Sequence, residues 1–270
     1  MIKTKAYAKI NLTLDILDKR PDNYHNINSI MQQINFYDEL TFEKSDKIEL
    51  NTKFEDDIIL KTINKVKQLF NIEQGTKVTI KKNIPVAAGL AGGSADAAAT
   101  LIALNELWDL KLNQKGMIKI GSELGADIPF CIVGKSCFVS GKGEILKEIT
   151  LPELNMLMVN PGYEISTKQA YEDLDQLNYE KKSSSLAIKN KENINIEQLT
   201  QEIHNDFLNI QKPDVKQLIK ELKDNQALSA SITGKGPTVF GIFDTEEKAK
   251  QAYKNLKSKH NFACLCRTIN

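Results

Sequence analysis

The chain has 270 residues, 41% of them hydrophobic and 26% charged, with a formal net charge of +1. These values exclude a disordered or fibrous protein, and a charge so near zero supplies no field for collecting nucleic acid or an anionic membrane surface. The length suits one large domain or two closely packed ones.

Residues 6–16 alternate, with Ala6, Ala8, Ile10, Leu12, Leu14 and Ile16 apolar and Tyr7, Lys9, Asn11, Thr13 and Asp15 between them. That period of two predicts a half-buried strand. Lys9 and Asn11 then share one face, about 7 Å apart at the backbone, and are placed to address one ligand together. The polar residues that interrupt this N-terminal stretch also argue against a signal peptide or membrane anchor. Further strands are expected over 28–36 and 39–50, a helix over 58–70 and a strand over 77–84. The alanine- and leucine-rich run 94–108 predicts a buried helix. A helix over 114–124 is expected to stop at Gly125 in the left-handed conformation that ends helices, with strands resuming at Phe130.

The pattern restarts near Pro152, so domains are expected at 1–151 and 152–270. The second half reads as a strand over 154–160, helices over 167–174, 196–207 and 214–224, then strands and one helix to the end. Residues 179–195, rich in Lys, Ser and Asn, read as a mobile surface connection. Strands and helices mix without regular alternation, which indicates α+β. Cys131, Cys137, Cys264 and Cys266 lack metal-ligand spacing with His25, His204 or His260 and are too few to staple the chain. They are read as reduced thiols in a cytoplasmic protein.

Chemistry concentrates in the run Pro85, Val86, Ala87, Ala88, Gly89, Leu90, Ala91, Gly92, Gly93, Ser94, Ala95. Glycines let backbone N–H groups converge on an anion, and the following helix adds partial positive charge at its N-terminus. Ser94 is suited to cap the helix, or to offer its hydroxyl to a phosphate or a phosphate-bound metal. The run lacks both the GxxxxGK[ST] pattern and a dinucleotide fingerprint. A glycine turn before a helix is also an ordinary packing device.

Three separated signatures, AKINL at 8–12, PVAAGLAGGSA at 85–95 and TGKGPT at 233–238, resemble the GHMP kinase superfamily in order and spacing. NYH at 23–25 and GADIPF at 125–130 resemble the branch that phosphorylates the 2-hydroxyl of cytidylylated methylerythritol, in non-mevalonate isoprenoid synthesis. The resemblance implies a two-domain GHMP kinase fold, with a ribosomal-protein-like N-terminal domain, a ferredoxin-like C-terminal domain and the active site between them. It implies ATP as co-substrate, and ATP chemistry brings an expected Mg2+ whose protein ligand is left open. A monomer or weak homodimer is expected, with no nucleic-acid or membrane partner given the near-neutral charge and the lack of a bilayer-length apolar run.

By the same resemblance Asp127 is the base and Lys9 the lysine beside it, Asn11 a substrate contact, Tyr24, His25 and Tyr171 the cytosine readers, and Gly234 and Gly236 phosphate neighbours. An alcohol is a poor nucleophile, and a carboxylate held ionised by an ammonium suits its activation. The sequence departs from the pattern at Lys235, usually a small Ser, and at Asp57, where an Asn near the adenine is common. Lys235 either supplements phosphate binding or points to solvent. Rival readings are a superfamily kinase for mevalonate, homoserine or a sugar, an inactive paralogue, or an RNA-binding module.

Overall fold

A computed structural model describes residues 1–52, 57–191 and 193–269. The chain forms two units, one of Met1–Ala8, Phe36–Val86 and Ala91–Gly134, the other of Lys9–Asn35, Ala87–Leu90 and Lys135–Asn270. Two long strands, β1 (Ile2–Lys19) and β2 (His25–Ser45), each contribute residues to both.

In the first unit, β3 (Glu49–Leu50) runs parallel to β4 (Gly75–Lys81), and β4 pairs antiparallel with β2 from Glu39↔Lys81 to Ser45↔Gly75. Its helices among the described residues are α1 (Ile58–Phe70), α2 (Gly92–Leu107), α3 (Gln114–Leu124) and α4 (Ile128–Val133). Asp57 starts α1, its Oδ1 accepting from the Ile59 amide at 2.7 Å and the Leu60 amide at 3.4 Å, which satisfies donors that a helix start leaves open. Residues 95–101 of α2 are buried around the helix circumference, Ala95, Ala97, Ala98 and Ala99 among them, while Ile102 is exposed. The helix packs against α1 and α4, and methyl-sized side chains let those neighbours approach its backbone closely.

In the second unit, β2 pairs with β5 (Ser136–Ser140) from Ser29↔Val139 to Gln32↔Ser136, and β5 with β6 (Ile145–Glu148). On β1, Thr13 and Leu14 pair in parallel with β8 (His204–Asn205). A separate antiparallel sheet has the order β11-β7-β10-β9, formed by β7 (Asn155–Asn160), β9 (Ser229–Ile232), β10 (Val239–Phe243) and β11 (Phe262–Arg267). With α8 (Pro213–Asp224) between β7 and β9, and α9 (Glu246–Leu256) between β10 and β11, this is the split βαβ arrangement of a ferredoxin-like domain. Leu157, Val159, Leu218, Leu222, Ile232, Val239, Phe243 and Leu256 fill its core. Further α-helices among the described residues are α5 (Thr167–Asp175), α6 (Ser184–Lys189) and α7 (Ile196–Gln201).

Several expectations need correction. The strands expected over 28–36 and 39–50 are one strand, β2, followed by the short β3. Phe130 lies in α4, whose strand follows only at Ser136. The helix expected over 196–207 ends at Gln201, and a tight turn of helix, Asp206–Ile210, follows β8. Gly125 has φ 178°, which is extended backbone rather than left-handed. Ser94 does not cap α2, because Ala91 occupies the cap position with φ 54° and no side-chain bond caps the helix.

The strand β1 is buried on both faces: Lys9, Asn11, Thr13 and Asp15 are each no more than 4% exposed. Its period-two pattern marks an apolar face and a polar interior face, since polar side chains tolerate burial when hydrogen-bonded. Part of the 179–195 stretch supplies such partners. Ser184, Ser185 and Ile188 of α6 are buried, Ser185 Oγ lies 2.7 Å from Thr13 Oγ1, and its amide donates to Asp15 Oδ2 at 3.0 Å. That segment is packed structure, not merely a surface connection.

Candidate active site

In the second unit, the Lys9 ammonium donates to Asn11 Oδ1 at 2.6 Å and to the Gly89 carbonyl at 3.4 Å. Asn11 is locked in turn. Its Nδ2 donates to Ser29 Oγ at 2.8 Å, and Ser29 Oγ donates to the Thr13 carbonyl at 2.6 Å. The Asn11 amide donates to Thr233 Oγ1 at 3.0 Å, and that hydroxyl donates to the Gly89 carbonyl at 3.1 Å. AKINL, the middle of the glycine run and the start of TGKGPT therefore meet through hydrogen bonds, although they are far apart in sequence.

Backbone conformation explains the glycines. Gly89 has φ +81°, and a Cβ there would stand 2.3 Å from the Thr233 carbonyl oxygen. Gly234 and Gly236 have φ +55° and +82°, and the turn between them is tied down by Asn205 Nδ2 donating to the Gly234 carbonyl at 2.8 Å and Gln211 Nε2 to the Lys235 carbonyl at 3.0 Å. Lys235 Nζ donates to Thr167 Oγ1 at 2.8 Å, so this departure from the family pattern ties the turn to the start of α5. Ala87, Gly89 and Ala91 all have positive φ, and alternation of left-handed residues is the geometry of backbone anion cradles.

At the far end of β1, residues 20–24 turn tightly, with the Arg20 amide donating to the Tyr24 carbonyl at 2.7 Å. Tyr24 is 57% exposed, with Lys142 Nζ 4.9 Å from its ring centroid. His25 is buried, and Tyr171 stacks on it with centroids 4.8 Å apart and planes 13° apart. Phe207 meets Tyr171 edge-on at 4.9 Å. His25 Nε2 lies 2.7 Å from Asp175 Oδ1, while Lys19 Nζ holds Oδ2 at 2.7 Å. Burial works against ionisation of Asp175, but Lys19 and His25 together bring its carboxyl below the ordinary value.

The first unit holds both ends of the glycine run. On the entry side, Asp38 Oδ1 accepts from the Asn83 and Ile84 amides at 2.5 and 2.8 Å. Lys82 Nζ donates to Asp38 Oδ2 at 2.6 Å and to Asp96 Oδ2, in the first turns of α2, at 2.7 Å. Two carboxylates thus share one ammonium. Burial pushes Asp96 up to about 7 against the pull of Lys82, and its Oδ1 has no hydrogen-bond partner among the described residues. Asp127 sits at the N-cap position of α4, where its carbonyl accepts from the Cys131 amide at 3.1 Å and its carboxylate makes no cap.

Asp57 spends Oδ1 on the α1 cap, and Thr52 Oγ1 donates to its Oδ2. Burial pushes the Cys137 thiol up to about 12 and Cys264 up to about 11, and it raises Cys266 as well, so these thiols stay protonated and unreactive. Among the described residues no group of three or more His, Cys, Asp or Glu is placed to hold a metal ion, and no helix is long and apolar enough to cross a membrane.

Sequence reasoning missed Asp38, Lys82 and Asp96, Thr233 as the hinge of the Lys9 knot, and Asp175. Lys82 and Asp96 flank the glycine run, a faint signal. Asp38 and Asp175 carry none, because only folding brings them to their partners.

Comparison with known proteins places this geometry. Residues 57–135 match the N-terminal domain of GHMP kinases and residues 186–261 their C-terminal domain. The chain is 41% identical to a 4-diphosphocytidyl-2-C-methyl-D-erythritol kinase of Caldanaerobacter subterraneus subsp. tengcongensis, over 100% of this chain and 97% of that one. It is 38% identical to the enzyme of that name from Clostridioides difficile, over 96% and 92%. The chain belongs to the GHMP kinases and, within them, to the 4-diphosphocytidyl-2-C-methyl-D-erythritol kinase family. Its fold resembles a crystal structure of 4-(cytidine 5'-diphospho)-2C-methyl-D-erythritol kinase (TM-score 0.83, 22% identity, 100% of both chains). It also resembles a homoserine kinase from Cytophaga hutchinsonii (TM-score 0.75, 19% identity, 99% of this chain and 94% of that one).

Three stability outcomes are expected. Gly89→Ala loses roughly 1–3 kcal/mol or more, since a left-handed non-glycine adds strain to the clash. Gly93→Ala, where a Cβ would meet only Ile58 Cγ2 at 3.8 Å, keeps or slightly raises stability, and thermal melts of the two compare them directly. Asp96→Asn leaves a one-to-one Lys82–Asp38 pair. Because the folded carboxyl binds its proton more tightly than the unfolded one, wild-type stability attributable to Asp96 falls as pH rises from about 4 to about 7. Urea melts across that window should therefore show the variant gaining on wild type with rising pH, and a constant difference would contradict the raised carboxyl.

Proposed function

We propose that this chain uses ATP to phosphorylate the 2-hydroxyl of 4-diphosphocytidyl-2-C-methyl-D-erythritol, supplying non-mevalonate isoprenoid precursor synthesis in the cytoplasm. The observation that carries the reading is the buried Lys9 ammonium, fixed by Asn11 Oδ1 and the Gly89 carbonyl beside a left-handed glycine turn. Burying an ammonium is costly, and a cation held against a phosphate-type loop repays that cost where a transferring phosphoryl group needs its charge offset.

In the reaction, the acceptor oxygen attacks the γ-phosphorus of ATP, the bond from that phosphorus to the bridging oxygen breaks, and ADP leaves. The hydroxyl proton passes to Asp127, and Lys9 offsets charge on the transferring group. The reading requires Lys9 and Asp127 to converge at the terminal phosphate. Amides of the run from Pro85 to Ala95, with Gly234 and Gly236, cradle the phosphates. Asn11 orients the acceptor, and Tyr24, His25 and Tyr171 hold the cytosine. When bound with ATP, Mg2+ would supply further positive charge at the phosphates. Asp38 and Asp96 are poor ligands for it, since both are buried and already bound to Lys82. The working form is a monomer or weak homodimer with functional halves at 1–151 and 152–270, and it takes small molecules as partners, not nucleic acid or membrane.

An ADP-release assay with this acceptor, mevalonate and homoserine as separate substrates tests the reading, and turnover only with mevalonate or homoserine would replace it. Asp127→Asn is expected to lower kcat by roughly 10²–10⁴, the range for a lost general base, with the KM for ATP within a few-fold of wild type. Near-normal kcat would remove Asp127 from the mechanism.

A further inference from the structure

Among the aromatic and charged groups around His25, the pairing with Asp175 stands apart, because it determines what the imidazole can offer a ligand. A carboxylate only accepts, so a His25 Nε2 lying 2.7 Å from Asp175 Oδ1 must carry the proton. In the neutral ring Nδ1 is then the acceptor. Asp175 stays ionised because Lys19 and the imidazole N–H outweigh the effect of its partial burial. Lys19 also shares the carboxylate, at 2.7 Å on Oδ2. The ring cannot swing away to exchange its nitrogens freely, since it is 7% exposed and stacked on Tyr171, which Phe207 braces edge-on.

We infer that Asp175 is a specificity-determining positioning residue: it fixes His25 in the tautomer that accepts at Nδ1, and so selects a pyrimidine bearing an exocyclic amino group over one bearing a carbonyl there. This rests on the cytidylyl reading of the site and adds to it the physical source of the choice between bases. Aromatic faces stack on any flat ring, so stacking alone does not discriminate. A fixed acceptor meets the amino N–H of cytosine with a hydrogen bond. The same acceptor meets the O4 of uracil with two lone-pair-bearing atoms and no proton between them. A site built around one hydrogen-bond partner strongly rejects an analogue that cannot supply it.

The test uses free CDP and UDP as inhibitors of the full-length enzyme competing with the acceptor, together with 15N spectra of histidine-labelled protein. The chain has three histidines, so His25 is assigned by comparison with a His25→Gln spectrum. Wild type is expected to prefer CDP by at least about tenfold and to show His25 protonated at Nε2. Asp175→Asn presents an amide that can donate to Nε2, which permits the Nδ1–H tautomer, so the preference should fall to within about threefold. Asp175→Glu, which keeps a carboxylate, should restore it. A wild type that binds CDP and UDP alike overturns the cytidylyl reading and this inference with it. A selective wild type with an equally selective Asp175→Asn, or a His25 protonated at Nδ1, overturns the inference alone.

Discussion

The ammonium of Lys9 is the constraint around which its unit is arranged. It stands on a strand buried on both faces, where polar groups need partners, and those around Lys9 come largely from distant parts of the chain. Asn11 turns its carbonyl oxygen to Lys9 because Ser29 takes its amide, and Ser29 is oriented by the Thr13 carbonyl. Thr233 completes the knot by accepting from the Asn11 backbone and donating to Gly89. A buried network of this kind is rigid when every member is satisfied, which is what a phosphoryl-transfer site needs from its positioning groups.

The glycine run depends on two sets of restraints. Its middle is held in the second unit, where Gly89 approaches the Thr233 carbonyl too closely for any side chain. Its ends are held in the first unit by Asp38, which collects two backbone amides on the entry side, and by Lys82, which links Asp38 to Asp96 on the exit side. The orphaned Asp96 oxygen is the weak point of that clamp. A second carboxylate on one ammonium lowers stability, and natural proteins retain such features more readily where geometry matters than where stability does.

Much of this was legible in the sequence, for identifiable reasons. The 58–70 helix follows from apolar residues at helical spacing, and the C-terminal ferredoxin-like sheet was implied by the family signatures. Alternation in β1 predicts a half-buried strand with Lys9 and Asn11 on one face, because periodicity reports that two faces differ and not whether either of them meets water. Lys9, Asn11, Thr13 and Asp15 turn inward because Ser29, Ser185, Thr233 and Gly89 are there to receive them, and those contacts are long-range. The same limit hid Ser184 and Ser185, whose polar segment resembles a loop until it is seen packed on Thr13 and Asp15. Motif matching nominated Tyr24, His25 and Tyr171 but carried no information about Asp175, which has meaning only through its contact with an imidazole 150 residues away.

Lys9→Met, measured for stability and turnover on the same preparation, bears most directly on the central claim. The variant removes a buried charge and fills its place with a similar apolar volume, leaving Asn11 Oδ1 without its donor. The relief of desolvation and that loss of about 1–3 kcal/mol act in opposite directions. The account predicts unfolding free energy within about 2 kcal/mol of wild type, with turnover reduced by at least about a hundredfold. A variant whose folded fraction turns over at the wild-type rate would show that the ammonium serves only the packing of β1.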